Sequence, residues 1–165
     1  MTYLLDANVF IQAKRTHYGF DFCPAFWDWI DRAHGDDVVL SIDAVLAELQ
    51  RGGDDLAAWT GQRSPLFAAV DAPRVASMRI LSSWTDTSGL PYSETAIQEF
   101  LASADYQLVA HAHAHKQVVV THEVSNQAGQ KRVKIPEACD AVGVRYIKPH
   151  ELLRVEQARF DLRSR

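Results

Sequence analysis

Short, mainly apolar runs alternate with segments of helical periodicity along this chain, a pattern that predicts strands separated by helices. The predicted strands are residues 3–5, 38–41, 117–121 and 144–147. Successive strands that are separated by more than ten residues of helix cannot form hairpins and must pair in parallel. The pattern therefore predicts an α/β fold with a central, mostly parallel sheet.

The segments between and after these strands carry apolar residues at helical spacing, with proline or glycine near several of their ends. The predicted helices are residues 7–14, 24–34, 43–50, 54–59, 73–84, 93–101, 105–115, 137–142 and 149–155. No repeat, linker or low-complexity segment divides the chain, so a single domain is expected over 1–165, with a helical C-terminal extension from about residue 149.

Composition is consistent with a soluble globular protein, since 47% of the residues are hydrophobic and 23% are charged. No apolar run approaches the ~18 residues of a membrane span, and no basic segment precedes an apolar core at the N-terminus. A cytoplasmic location without membrane association is therefore expected. Cys23 and Cys139 are expected to be small buried residues in a reducing compartment.

Charge is distributed unevenly along the chain. Residues 130–165 contain nine Lys or Arg against five Asp or Glu, whereas the first 129 residues contain eight against sixteen. A protein that binds nucleic acid by charge alone is usually basic overall, and this chain has a net charge of -4. Nucleic-acid binding is compatible with this balance if metal ions bridge the acidic part to phosphate while the basic part holds the backbone.

Four acids lie where predicted strands end or predicted helices begin. Asp6 follows the first strand, Glu48 lies in the helix after the second, Asp105 begins a helix, and Glu123 follows the most apolar strand. The carboxyl ends of parallel strands meet at one edge of the sheet, where ligands bind. Taken singly, each acid is explained as a helix cap or a solvated side chain. Their joint position favours a site for a hard divalent cation such as Mg²⁺.

The same segments resemble the PIN-domain ribonucleases, many of which are VapC-type toxins of prokaryotic toxin–antitoxin pairs. The resemblance covers residues 2–147 and rests on four motifs in the family's order: Asp6-Ala7-Asn8, Val45-Leu46-Ala47-Glu48-Leu49, Ala104-Asp105 and Val118-Val119-Val120-Thr121-His122-Glu123. Residues 20–29 and 134–139 further resemble a little-characterised bacterial and archaeal branch of that family.

The resemblance implies a three-layer α/β sandwich and a metal-dependent active site. It assigns catalysis and metal binding to Asp6, Glu48, Asp105 and Glu123, with Asn8, Thr121 and Asn126 in supporting positions. The implied cofactor is Mg²⁺ or Mn²⁺, as one or two ions. The family often has an aspartate at the fourth position and a further acid beyond it, where this sequence has Glu123 and Asn126.

The activity that the resemblance implies is endonucleolytic hydrolysis of RNA by the toxin of a toxin–antitoxin pair. The implied partners are RNA, an antitoxin protein and a second copy of the chain in a homodimer. Lys131, Arg132 and Lys134 follow the acids in a polar, basic loop and are predicted to hold RNA phosphates. The alternative is that these three side chains are ordinary solvated loop residues.

Two other functions fit parts of the pattern. A haloacid-dehalogenase-like phosphatase also begins with a strand that ends in an aspartate, but it requires a second aspartate where this chain has Asn8. A non-catalytic α/β binding protein would keep the sheet and present its tryptophans to a partner. Dependence on Mg²⁺ or Mn²⁺ distinguishes a nuclease from a binding protein.

Three histidines alternate along the predicted helix 105–115. His111 and His115 share a helical face, while His113 points roughly 200° away, so the three cannot converge on one metal ion. The chain has no His-Glu-x-x-His pattern and no paired cysteines beside them. The expectation is therefore that these histidines are solvated rather than zinc ligands.

Overall fold

A parallel sheet lies at the centre of the computed structural model, which describes residues 1–87, 89–125 and 131–161. Within these residues the strands are β1 (Tyr3–Leu5), β2 (Val39–Ile42), β3 (Phe67–Ala68), β4 (Val118–Val120) and β5 (Tyr146–Ile147). Their order in the sheet is β3-β2-β1-β4-β5, and every neighbouring pair is parallel. The prediction of a three-layer α/β sandwich with a mostly parallel sheet is confirmed.

Helices connect the strands, as parallel pairing requires. They are α1 (Ala7–Gln12), α2 (Pro24–Gly35), α3 (Asp43–Gln50), α4 (Asp55–Gly61), α5 (Ala72–Thr85), α6 (Glu94–Leu101), α7 (Ala104–His115), α8 (Ile135–Val142) and α9 (Pro149–Val155). A π-helical turn, Ala13–His17, continues α1, and a 3₁₀ turn, Ser64–Leu66, leads into β3. None of the helices within the described residues combines the length and the apolar character of a membrane span.

The core lies around β1, β4 and α7. Every residue of β1 and β4 is buried, because helices cover the sheet and leave no solvated face on these strands. Buried residues also occur on more than one side of α7, which packs against α3, α5, α8 and β4. A helix enclosed on several sides carries little apolar asymmetry, and it buries some of its polar side chains, such as His111, whereas His115 near its end is exposed.

Strand β3 and the start of α8 are among the features of the fold that differ from the prediction. Strand β3 was not predicted, since two residues after Pro65 are too few to establish a strand period. Helix α8 begins at Ile135 rather than at residue 137, with Pro136 in its first turn. Proline has no N–H, but the N–H groups of the first turn have no acceptor within a helix, so no intrahelical hydrogen bond is lost. The two cysteines are free; Cys139 is buried as predicted, whereas Cys23 is only half-buried.

Candidate functional site

Asp6 lies at the carboxyl end of β1, in the N-cap position of α1, yet its side chain makes no capping hydrogen bond. Asp6 is only 1% exposed. The backbone N–H of Asp6 donates to the carbonyl of Val120 at 3.0 Å, which fixes the residue against the end of β4. The explanation of Asp6 as a helix cap is therefore wrong, and its buried carboxylate requires another partner.

Thr121 supplies a neutral partner for that carboxylate. Its hydroxyl donates to Asp6 Oδ2 at 2.8 Å and accepts the backbone N–H of Glu123 at 3.0 Å. Thr121 itself is fully buried. A single hydroxyl thus joins the end of β1 to the segment that follows β4, and it brings Asp6 and Glu123 to the same edge of the sheet.

Asp105 and Glu123 share one cation, the guanidinium of Arg132. Arg132 Nη2 lies 3.0 Å from Asp105 Oδ2 and 3.1 Å from Glu123 Oε1. The side chains of Asp105 and Glu123 are only 15% and 10% exposed. Asp105 is in the first turn of α7, but Ser103 caps that helix by accepting the N–H of Tyr106. The carboxylate of Asp105 is therefore available to the site.

The other predicted site residues are Glu48, Asn8 and Asn126. Glu48 is exposed on α3, and its charge acts on both Asp6 and Asp105, which places it at the rim of the acids rather than inside them. Asn8 is half-buried in the first turn of α1. Asn126 lies outside the described residues.

Electrostatic repulsion within the site is large. The pKa of Asp6 is raised to about 7, chiefly by burial and also by the charges of Asp105, Glu123 and Glu48, while the hydrogen bond from Thr121 opposes the rise. Burial also raises the pKa of Asp105, with a smaller contribution from Glu48, while Arg132 lowers it. Carboxylates that are held together against this repulsion form the all-oxygen donor set that Mg²⁺ and Mn²⁺ prefer. The residues present therefore fit a divalent cation.

The three predicted RNA-binding residues have different surroundings. Arg132 faces the acids, as described above. Lys134 Nζ donates to the carbonyl of Val124 at 3.1 Å, and Lys131 is exposed. Lys131 and Arg132 are thus both exposed residues, but the guanidinium of Arg132 is engaged by the acids.

Lys148 supports the site and was not predicted from the sequence. Its ammonium group donates to the carbonyl of His122 at 2.9 Å and to the carbonyl of Glu123. Glu123 is held from a second side, because its Oε2 accepts the first backbone N–H of α8, that of Ile135, at 2.8 Å. A lysine before a helix-starting proline is normally a surface residue, so no local pattern distinguishes Lys148.

Solved structures with the same fold include VapBC2 from Rickettsia felis bound to a DNA fragment from its promoter, with 15% identity and a TM-score of 0.55 over 90% of this chain and 98% of that chain. VapBC-1 from nontypeable Haemophilus influenzae has 13% identity and a TM-score of 0.54 over 90% and 98%. FitAcB from Neisseria gonorrhoeae has 21% identity and a TM-score of 0.53 over 90% and 99%.

These likenesses extend over nearly all of both chains and confirm the fold that the resemblance to PIN-domain proteins implied. No curated protein matches the sequence. A family match extends over residues 3–160, almost the whole chain. The protein therefore belongs to the family described as Domain of unknown function (DUF4411).

Proposed function

We propose that this protein is an endoribonuclease that depends on Mg²⁺ or Mn²⁺, with Asp6, Asp105 and Glu123 as its principal metal ligands. The observation that carries this proposal is the buried carboxylate of Asp6, which caps no helix and faces other acids. A protein retains such repulsion at a cost to its stability, and a cation bound at the acids would offset it. Perturbed acids of this kind are concentrated at functional sites.

The chain's own residues would orient the reaction. When bound, the ion supplies acidification of a water molecule and neutralisation of phosphate charge. Thr121 holds the carboxylate of Asp6, while Lys148 and Ile135 hold the backbone and side chain of Glu123. To Glu48, which is exposed and acts electrostatically on Asp6 and Asp105, the proposal assigns the orientation of the attacking water. Attack of water on the phosphorus with the 3′-oxygen as leaving group gives a 5′-phosphate and a 3′-hydroxyl. The ribose 2′-hydroxyl takes no part, so no 2′,3′-cyclic phosphate forms.

The proposal is tested by incubating the purified protein with single-stranded RNA in Mg²⁺, in Mn²⁺ and in EDTA. Cleavage is expected with either metal ion and not with EDTA, and restoring the ion should restore it. The product ends are expected to be 5′-phosphate and 3′-hydroxyl, which end-labelling identifies. Cleavage in EDTA, or products with 2′,3′-cyclic phosphates, would contradict a metal-dependent mechanism.

We further propose that the protein is the toxin of a toxin–antitoxin pair and forms a homodimer. The support is the fold shared with the VapBC and Fit structures, together with the sequence resemblance to VapC-type toxins. Adding the product of an adjacent small gene to the cleavage reaction should stop it and yield a stable complex on size exclusion. Unchanged cleavage in its presence argues against this partner and leaves the nuclease proposal standing.

Arg132 is expected to compete with metal ions for Asp105 and Glu123. Arg132→Gln removes the guanidinium that bridges them, so Mn²⁺ should bind several-fold more tightly in calorimetry. Lys131→Gln is the matched control, because it removes the same charge from the neighbouring exposed position. Equal Mn²⁺ affinities for the two variants would show that Arg132 does not compete directly.

The same two variants, together with Lys134→Gln, test whether this loop holds RNA phosphates. Each lost phosphate contact should weaken RNA binding for all sequences alike and reduce the salt slope by roughly 0.7 for a single strand. Wild-type affinity and slope in all three variants would identify these side chains as ordinary loop residues.

A further inference from the structure

A second group of potential metal ligands lies on α5 and α7, on residues that the acidic site does not use. Asp71, His111 and His115 each offer one ligand atom, and these atoms lie within 4.8 Å of one another. His111 and His115 are one helical turn apart on α7, and Asp71 is the N-cap of α5. The ring centroids of His111 and His115 lie 4.3 Å apart.

We propose that Asp71, His111 and His115 bind a divalent transition-metal ion of the Zn²⁺, Co²⁺ or Ni²⁺ type. Two imidazoles and one carboxylate form a donor set that suits these ions, whereas Mg²⁺ prefers oxygen alone. Three protein ligands leave further positions for water. This site is independent of the proposed nuclease activity, and it would join the start of α5 to the end of α7.

The surroundings of His111 are the observation that favours a bound metal ion. The residue is only 3% exposed, and its Nδ1 is buried without a hydrogen-bond partner among the described residues. A buried nitrogen that lacks a partner costs free energy, and histidine in a core normally has one.

The expectation that the histidines of α7 are solvated is thus wrong for His111, because α7 is enclosed by other helices. His113 does point elsewhere, as its position on the helix predicted. Its Nδ1 lies 2.8 Å from Ser77 Oγ. Two of the three histidines therefore share one site, and the ligand that completes the set comes from another helix.

Asp71 is held in position for this role. Its Oδ1 accepts the backbone N–H of Arg74 at 2.9 Å and so caps α5, while its Oδ2 lies 2.9 Å from His115 Nε2. The two carboxylate oxygens have separate partners, and the capping bond fixes the orientation of the group. A hydrogen bond that orients a ligand in this way strengthens metal sites.

The buried guanidinium of Arg74 is the main electrostatic obstacle to a cation here. Its positive charge acts on His111. Asp43 offsets it, since Asp43 Oδ1 lies 2.7 Å from Arg74 Nη2. The Arg74–Asp43 ion pair carries no net charge, so the carboxylate of Asp71 gives the cluster of Asp71, His111 and His115 its net negative charge.

The experiment titrates the whole protein with ZnCl₂ by calorimetry in saturating Mg²⁺, and with CoCl₂ by visible absorption. One equivalent of Zn²⁺ is expected to bind, and Co²⁺ should give the ligand-field bands of a site with imidazole ligands. His115→Ala and Asp71→Asn should each weaken Zn²⁺ binding by about tenfold or more. Asparagine also caps helices, so Asp71→Asn removes the ligand charge while α5 keeps its cap.

His113→Ala is the matched control on the same helix and should leave Zn²⁺ affinity unchanged. Asp105→Asn tests whether Zn²⁺ instead occupies the acidic site, and it too should have no effect. Circular dichroism establishes that each variant is folded before titration. The proposal is overturned if His115→Ala and Asp71→Asn bind Zn²⁺ like wild type, or if Asp105→Asn abolishes binding.

Discussion

Asp6→Asn is expected to reduce RNA cleavage at least about a hundredfold, since the metal contribution at stake is several kcal/mol and each 1.36 kcal/mol changes a rate tenfold. Asparagine has nearly the shape of aspartate, and its carbonyl oxygen can still accept the hydroxyl of Thr121. The variant therefore removes the ligand charge and little else. Initial rates of cleavage in saturating Mn²⁺, measured for both proteins, provide the comparison.

Asp86→Asn is the matched control, because it makes the same chemical change at an exposed position after α5. It should cleave RNA at the wild-type rate. If Asp6→Asn and Asp86→Asn cleave equally well, the acids at the end of β1 and β4 are not a catalytic metal site.

Asp6→Asn is also expected to stabilise the metal-free protein, and to do so more strongly as pH rises. The pKa of Asp6 is about 7 in the folded protein and near 3.8 when unfolded, so the folded state holds the proton more tightly. The free energy of unfolding of the wild type therefore falls as pH rises from about 4 to about 7. Asparagine does not titrate, and the advantage of the variant should grow by about 2–3 kcal/mol between pH 5 and pH 8.

Denaturant unfolding in EDTA at pH 5 and pH 8 measures the difference in free energy of unfolding between the two proteins. The titration of every other group is common to both proteins and cancels. Mn²⁺ at pH 8 should narrow the difference, since a ligand at a hundredfold excess over its Kd stabilises the native wild type by about 2.7 kcal/mol. A stability difference that does not change with pH would contradict the repulsion described for Asp6. Together with lost cleavage, the expected gain in stability would separate a catalytic role from a structural one.

Periodicity in the sequence was sufficient to predict the class of the fold. Strands β1, β2, β4 and β5 are apolar enough to be recognised one by one, and the helices between them require parallel pairing. Parallel pairing places every strand's carboxyl end at one edge, so the convergence of Asp6 and Glu123 followed from their positions alone. Strand β3 was missed because a two-residue strand is defined by its neighbour β2 rather than by any pattern of its own.

The partner of each charged side chain was decided only by the tertiary structure. Asp6 and Thr121 are 115 residues apart, and no local pattern distinguishes a capping aspartate from one held by a distant hydroxyl. The guanidinium of Arg132 contacts the acids, and the ammonium group of Lys148 donates to the carbonyl of Glu123. The sequence predicted a phosphate-binding role for Arg132 and none for Lys148. Secondary structure depends on neighbours a few positions away, which a sequence contains. The pairing of charges depends on which surfaces meet after folding, and that is why Asp71 joined His111 and His115 only in three dimensions.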